Sequence, residues 1–301
     1  MSAAILVAGA AGLVGGAVMS ALRRRGRPVI GIDLTADADR DVLACDLCDM
    51  KHLETVAKEW DLAAIVHCGA VSGPSLYRED PGFVVGTNIG STQNLLDLAR
   101  KRQIPRFVFA SSASVYGPTD PCLDVTENMP LHPSSVYAAT KIAGEALVEA
   151  YSSQYSLSAA SLRIAAVYGP GRRTPCVIRE MIMAAAEGRV LNLPVGGHQR
   201  YHYIHVDDVA SAVIAALDAA DFSISAYTIA ADRGVSLGEL AKLVREAVPG
   251  PHIDVEANED PLSDPQGPYD LKAVQRDLAW LPTIELTAGI RSYAAWLLQK
   301  K

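Results

Sequence analysis

No run of apolar residues in this chain reaches membrane-spanning length, although half of its 301 residues are hydrophobic. A membrane partner is therefore not expected. A basic stripe is missing too: the formal net charge is -7, and Arg23-Arg24-Arg25 is the one basic run. Nucleic acid is excluded as a partner on this ground, because a phosphate backbone needs a concentrated positive face. That short run reads as a solvated helix end. Cysteine is scarce, with five residues at 45, 48, 68, 122 and 176, odd in number and unevenly spaced. Such a set does not build a disulfide scaffold. Cys45 and Cys48 form C-x-x-C, but no second pair completes a zinc site, and the motif ends a buried strand instead of opening a helix. The first residues lead straight into a strand without a signal-peptide pattern, so a soluble, cytoplasmic chain with reduced thiols is expected.

What is present is an alternation of short apolar runs and amphipathic stretches. Ala3 to Ala8 reads as a strand, GAAGLVGG follows, and Leu13 to Arg25 reads as a helix. Gly9, Gly12 and Gly15 allow a tight turn and bring backbone close to a pyrophosphate at the helix start. The next strand, Val29 to Ile32, ends in Asp33, an acid roughly 20 residues past the glycines, where a carboxylate accepts both ribose hydroxyls. Leu34 follows Asp33, with no arginine to welcome a further phosphate, so NAD is expected over NADP. Val42 to Cys45 forms a third strand, and Asp46 is placed to accept from the adenine amine. The strand Ala64 to Ala70 ends in small residues, as backbone beside a cofactor requires, and His67 on it reads as a core histidine. Thr87-Asn88 leads into a helix over Ile89 to Lys101, where Asn88 either caps the helix or bonds backbone near the site.

The centre of the chain runs from Arg106 to Lys141. Phe107 to Ala110 reads as a strand buried on both faces, ending in serines, and a helix from Pro133-Ser134-Ser135 continues to about Tyr155. Tyr137 and Lys141 lie one helical turn apart and share a face. A neighbouring ammonium is expected to pull a phenol below its usual pKa of about 10, making it a useful proton acceptor. Ser112, from the strand end, can hold an alcohol or carbonyl oxygen beside that phenol.

Further on, Ser161 to Val167 reads as one strand, and Tyr168 to Arg173 ends the regular alternation. A helix over about Val177 to Glu187, strands at Val190 to Leu193 and Tyr201 to Val206, and a helix opened by Asp207-Asp208 follow. Short strands at Tyr227 to Ala230 and His252 to Ala257 alternate with helices, the last being Leu286 to Gln299. Pro261 to Pro268 is expected to be mobile. His198, His202 and His205 lack an acid or cysteine to complete a metal set, and no metal is expected.

With these pieces placed, the chain resembles the extended short-chain dehydrogenase/reductase superfamily, the NAD-dependent epimerase/dehydratase group. The resemblance rests on GAAGLVG at Gly9 to Gly15, Asp33, Asp46-Leu47, HCGA at His67 to Ala70, Thr87-Asn88, SSASVYG at Ser111 to Gly117, YAATK at Tyr137 to Lys141, LRIAAVYGPG at Leu162 to Gly171 and YIHVDDVA at Tyr203 to Ala210. It implies an α/β fold: a doubly wound parallel Rossmann sheet of about seven strands with a smaller C-terminal substrate-binding cap. The Rossmann domain would take residues 1–168, with 201–230 returning to it, and the cap 169–200 and 231–301. It implies a homodimer through the helices near 89–101 and 135–153.

The resemblance also assigns roles. Tyr137 is the acid/base, Lys141 binds the nicotinamide ribose, and Ser112 orients the reacting oxygen. NAD would be held by Gly9, Gly12, Leu13, Val14, Gly15, Asp33, Asp46, Leu47, Cys68, Gly69, Ala70, Asn88, Ser111, Tyr137, Lys141, Ile164 and Val167. A sugar-like substrate would meet Ser72, Ser112, Ser114, Tyr137, Ala166, Arg172, Arg173 and Arg200. The departures lie in this last set. Nucleotide-sugar members usually carry asparagine where Ala166 stands and arginine where Tyr201 stands, and a further arginine has no counterpart between Ile253 and Asp270. The leading expectation is therefore an NAD-dependent dehydrogenase of a sugar, sugar acid or similar polyol. A nucleotide-sugar epimerase or dehydratase that holds its diphosphate differently is the alternative, and a non-enzymatic dinucleotide sensor the third reading.

Overall fold

The short apolar runs become parallel strands buried on both faces, as happens where helices cover each side of a sheet. The computed structural model describes residues 3–73, 76–231, 233–261 and 263–299. The first part runs β1 (Ala4–Ala8), α1 (Leu13–Arg24), β2 (Val29–Asp33), β3 (Val42–Ala44), α2 (Met50–Ala57), β4 (Leu62–His67), α3 (Pro81–Lys101), β5 (Arg106–Ser112), α4 (Val136–Tyr155) and β6 (Ser158–Ile164). Then come β7 (Ala166–Tyr168), α5 (Val177–Ala186), β8 (Leu191–Leu193), β9 (Tyr203–His205), α6 (Val206–Asp218), β10 (Ala226–Ile229), α7 (Leu237–Ala247), β11 (Ile253–Val255), α8 (Lys272–Leu278) and α9 (Leu286–Leu298). Seven strands form one sheet in the order β10-β6-β5-β4-β1-β2-β3, and every neighbouring pair is parallel. The expected doubly wound Rossmann sheet is present.

Strand parity sorts the side chains into two cores. Ile5 and Val7 of β1 face α1 and α6, packing with Val18, Leu22, Val209 and Val213. Ala4, Leu6 and Ala8 face the opposite side, packing with Leu95 and Leu96 of α3 and Val148 of α4. A third core joins Ile178, Met181 and Ile182 of α5 to Leu240 and Val244 of α7 and to Ile290 and Tyr293 of α9. Beside it β8 pairs with β11 and β7 pairs with β9. No helix among the described residues is long and apolar enough to cross a membrane.

Four local expectations are corrected. The single strand Ser161 to Val167 is two strands: Ala165 N still donates to Ile229 O, but Ala166 N donates to His202 O, so the chain changes partner at that step. α3 starts at Pro81 under an Asp80 cap (Phe83 N to Oδ1, 3.0 Å), which puts Thr87 and Asn88 inside the helix. β4 ends at His67, leaving Cys68 to Ala70 in the loop that follows. The proline-rich stretch, of which Leu262 lies outside the described residues, is anchored instead of mobile. Gly267 N donates to Thr119 Oγ1 at 3.0 Å, Gln266 Nε2 to Gly117 O at 2.9 Å, and Ser134 Oγ to Asp264 Oδ2 at 2.6 Å.

Candidate active site

Strand order reverses between β1 and β4, and the loops after these two strands meet there. Gly9 has φ +80, and a Cβ on it would lie 2.5 Å from Gly69 N. A Cβ on Gly15 would lie 2.1 Å from Gly9 O, so only glycine lets α1 start this close to β1. Gly12 is the N-cap of α1 and no side chain caps the helix, leaving its first N–H groups, those of Leu13 and Val14 among them, to face outward. Asp33 closes the turn: its Oδ2 accepts from Ala11 N at 3.0 Å and its Oδ1 from Leu34 N at 2.8 Å. Leu47 packs against Gly69, while Asp46 is exposed and accepts from Cys48 N at 2.8 Å. This donor set, a bare helix start with a carboxylate one strand away, fits a dinucleotide.

One residue here escaped the sequence reading. Arg40 donates to Ala11 O at 2.9 Å and Ala10 O at 3.1 Å, which ties the glycine turn to the loop after β2. It sits in an irregular acidic stretch, DADR, where no periodicity marks it.

The candidate catalytic residues gather at the end of β5 and the start of α4. Ser135 caps α4, accepting from Ala138 N at 3.2 Å, so Tyr137 falls in the first turn and is 9% exposed. The Ser112 and Ser72 hydroxyls stand beside its phenol and favour its ionised form. Ser112 Oγ also accepts from Ser114 Oγ at 2.9 Å and from Ser114 N at 3.2 Å, where it caps the 3-10 turn Ala113–Tyr116. Lys141 Nζ donates to Ala110 O at 2.8 Å and lies 4.7 Å from the centre of the Phe109 ring and 5.8 Å from that of Tyr137.

The electrostatics differ from the expected lowering of the phenol pKa. Burial raises the Tyr137 pKa, and the opposing influences are the Ser112 and Ser72 hydrogen bonds. Lys141 is itself pushed down to about 8 by burial, against the opposing fields of Cys68 and Glu145. Its ammonium is held by a carbonyl and an aromatic face, so desolvation of the phenol dominates. Cys68 is likewise raised by burial, to about 12, and stays a thiol. His67 is lowered by burial to about 3, with Nε2 beside Thr92 Oγ1 at 3.0 Å, and is a neutral core histidine.

Several candidate residues are engaged within the protein. Asn88 accepts from Val71 N at 2.8 Å and donates to Val71 O at 3.2 Å and Thr140 Oγ1 at 2.9 Å. It pins the Ser72 loop to the Tyr137 helix and is not a helix cap. The Ser111 hydroxyl donates to Glu145. Ile164 is buried, Val167 half-buried and Ala166 exposed, on either side of the partner change. Ala70 lies half-buried beyond Gly69. Arg172 donates to Val167 O and to Pro175 O, the latter at 3.1 Å, and Arg200 pairs with Glu239 at 2.5 Å. Tyr201 donates to Asp260 Oδ2 at 3.1 Å. Arg173 lines an open cavity of about 370 Å³ with Arg179 and Arg189. His202 packs on Tyr269 and His205 meets Ser292, in separate surroundings.

Comparison with known proteins agrees with this geometry. Residues 5–230 match the model of the NAD dependent epimerase/dehydratase family. UDP-glucuronate 4-epimerase 4 of Arabidopsis thaliana is 28% identical over 98% of this chain and 75% of its own. The UDP-glucose 4-epimerase of Thermotoga maritima, solved with UDP-glucose, superposes with a TM-score of 0.91 at 23% identity over 99% of both chains, which shows the fold. The UDP-glucose 4-epimerase of Thermus thermophilus, solved with NAD, gives 0.86 at 26% identity over 98% of this chain and 99% of its own. The chain is an NAD-dependent enzyme and belongs to the NAD-dependent epimerase/dehydratase family.

Proposed function

We propose that this enzyme is a nucleotide-sugar 4-epimerase, acting on a UDP-sugar such as UDP-glucuronate. The observation that carries the chemistry is the buried Tyr137 phenol beside Ser112 and Ser72, one helical turn from Lys141, at the end of β5. The similarity to UDP-sugar 4-epimerases over nearly the whole chain supports the substrate class. It favours this reading over the expected free-sugar dehydrogenase. When bound, NAD supplies a hydride acceptor. Leu13, Val14 and Gly15 backbone and Asp33 would hold it, and Lys141 would meet its ribose. Tyr137 takes the proton as the sugar alcohol becomes a ketone and returns it when the hydride comes back on the other face. Its raised pKa keeps it the phenol at rest, the form that protonates a ketone. Oxidation then requires a phenolate, so its rate should rise with pH in a single-turnover experiment.

The residues 169–200 and 231–301 would form the cap over the sugar, and a homodimer through α3 and α4 belongs to the same proposal. The free-sugar or sugar-acid dehydrogenase keeps one specific support. Arg172 and Arg200 are engaged by carbonyls and Glu239, and Tyr201 faces Asp260, so none of these offers a diphosphate a free cation. Arg173 and Arg179 line the cavity described above together with Glu180 and Glu187, and there Arg189 pairs with Glu187 at 3.5 Å. Incubation with UDP-glucuronate and with free glucuronate separates the readings. The epimerase yields a second UDP-sugar without net NADH, whereas accumulating NADH from the free acid would overturn it.

A further inference from the structure

Between the helix that carries Tyr137 and Lys141 and the strand that ends in Ser112 lies a buried ion pair with no part in the chemistry above. Glu145, one turn beyond Lys141 on α4, meets Arg163 of β6 at 2.8 Å, with side chains 9% and 7% exposed. Arg163 Nε donates to both Glu145 oxygens at 3.1 Å, and its Nη1 donates to Tyr116 Oη at 3.2 Å and Glu127 O at 3.0 Å. Glu145 Oε1 also accepts from Ser111 Oγ at 2.5 Å. Tyr116 in turn meets Thr228 of β10 at 2.7 Å. One hydrogen-bonded set thus joins α4, the end of β5, the turn that carries Ser114, β6 and β10.

A buried ion pair is a weak source of stability, since apolar residues of similar volume often serve as well. Its use is geometric, because a guanidinium bound at two points fixes both distance and angle. Ser111 and Ser112 are consecutive on β5 and point to opposite faces. Anchoring Ser111 on Glu145 therefore fixes the end of β5 against α4, and with it the position of the next residue, Ser112. Tyr137, Lys141 and Glu145 stand on successive turns of one helix face, so the same anchor sets the height of that face against the strand.

We propose that the Glu145–Arg163 pair, closed onto Ser111, is a positioning device that holds Ser112, Tyr137 and Lys141 in register. It rests on the reading of Tyr137 and Lys141 as the residues that meet substrate and NAD. A second effect follows from charge. Around the Lys141 amine stand His67 from the end of β4, Cys68 from the loop after it, and Tyr137 and Glu145 from its own helix, while Arg163 faces Glu145 from β6. His67 and Cys68 are neutral near pH 7, so the Glu145 carboxylate is the one anion of the group and favours the ammonium.

The test compares the wild type with the double variant Glu145→Gln/Arg163→Met and with Glu145→Asp. It reads thermal unfolding, kcat on the UDP-sugar, and NAD affinity by calorimetry on both sides of pH 8. In the wild type, NAD affinity should fall as pH rises through the Lys141 pKa of about 8. The double variant should unfold near the wild-type temperature, lose kcat by about tenfold or more, and lose NAD affinity at a lower pH. Glu145→Asp retains the charge but shortens the reach, so kcat should drop while the pH dependence stays. Should the double variant not fold, Glu145→Asp decides: wild-type kcat in it overturns the proposal. A double variant with wild-type kcat and an unmoved pH profile does the same. Wild-type NAD affinity that ignores pH would instead sink the assignment of Lys141, and the proposal with it.

Discussion

Lys141, Arg163 and Arg40 of the sheet half each donate to fixed protein acceptors, namely the Ala110 carbonyl, the Glu145 carboxylate and the Ala10 and Ala11 carbonyls. Towards the C-terminal side, Arg173, Arg179 and Arg189 surround an open cavity, with Arg189 beside Glu187, and Arg200 is half-exposed beside Glu239. Cations of the first kind set geometry and cannot move without disturbing the strand ends that carry the reaction. Cations of the second kind stand at the surface, where Arg189 and Arg200 pair with Glu187 and Glu239 in water-screened contacts that hold little. Under the proposed function, the family chemistry would belong to the first region and substrate choice to the second.

The comparison breaks most visibly at Tyr137. Tyr137→Phe removes one hydroxyl and leaves a buried ring, so turnover should fall by about 10²–10⁴-fold with unfolding temperature and NAD affinity unchanged. Normal turnover in that variant would reverse the assignment. Gly15→Ala is the next largest. Its Cβ would meet Gly9 O at 2.1 Å, so the turn must open, and NAD affinity should drop by at least about tenfold. Calorimetric titration of the folded variant checks this.

A smaller effect separates the two dinucleotides. Asp33 closes on Ala11 N and Leu34 N and has no arginine directly after it, so NAD should bind at least about tenfold tighter than NADP, about 1.4 kcal/mol. Equal affinities would show that Arg40 accommodates the extra phosphate. The smallest is Arg200→Ala, which deletes an exposed pair with Glu239. It should change stability by less than about 1 kcal/mol and leave kcat/KM within a few-fold. A large loss of UDP-sugar affinity there would move Arg200 from the surface into the substrate site.

Much of the first region could be read directly from the chain. The glycines before α1, Asp33 at the end of β2 and the Tyr137/Lys141 spacing are local signals, because a turn, a strand end and one helical turn are short-range geometries. The start of α3 was not legible: Thr87-Asn88 read as the lead-in to a helix from Ile89, yet the helix runs through them from Pro81 under its Asp80 cap. Propensity lost there to the packing of α3 on the sheet and on α4. The anchoring of Pro261 to Pro268 was hidden for a similar reason, since its partners Gly117, Thr119 and Ser134 lie far away in sequence.

The sequence by itself determined the parallel sheet and the family, and it singled out the glycine turn and Ser112, Tyr137 and Lys141 as the candidate site, because these signals are local. Only the tertiary structure decided which charges are engaged. It showed Asn88 pinning Val71 and Thr140, Ser111 turned to Glu145, Arg172 bound to carbonyls, Tyr201 facing Asp260, and a phenol raised by burial where a nearby lysine had promised the reverse. Hydrogen-bond partners and desolvation depend on what the folded chain brings together from distant positions, and no local pattern carries that information.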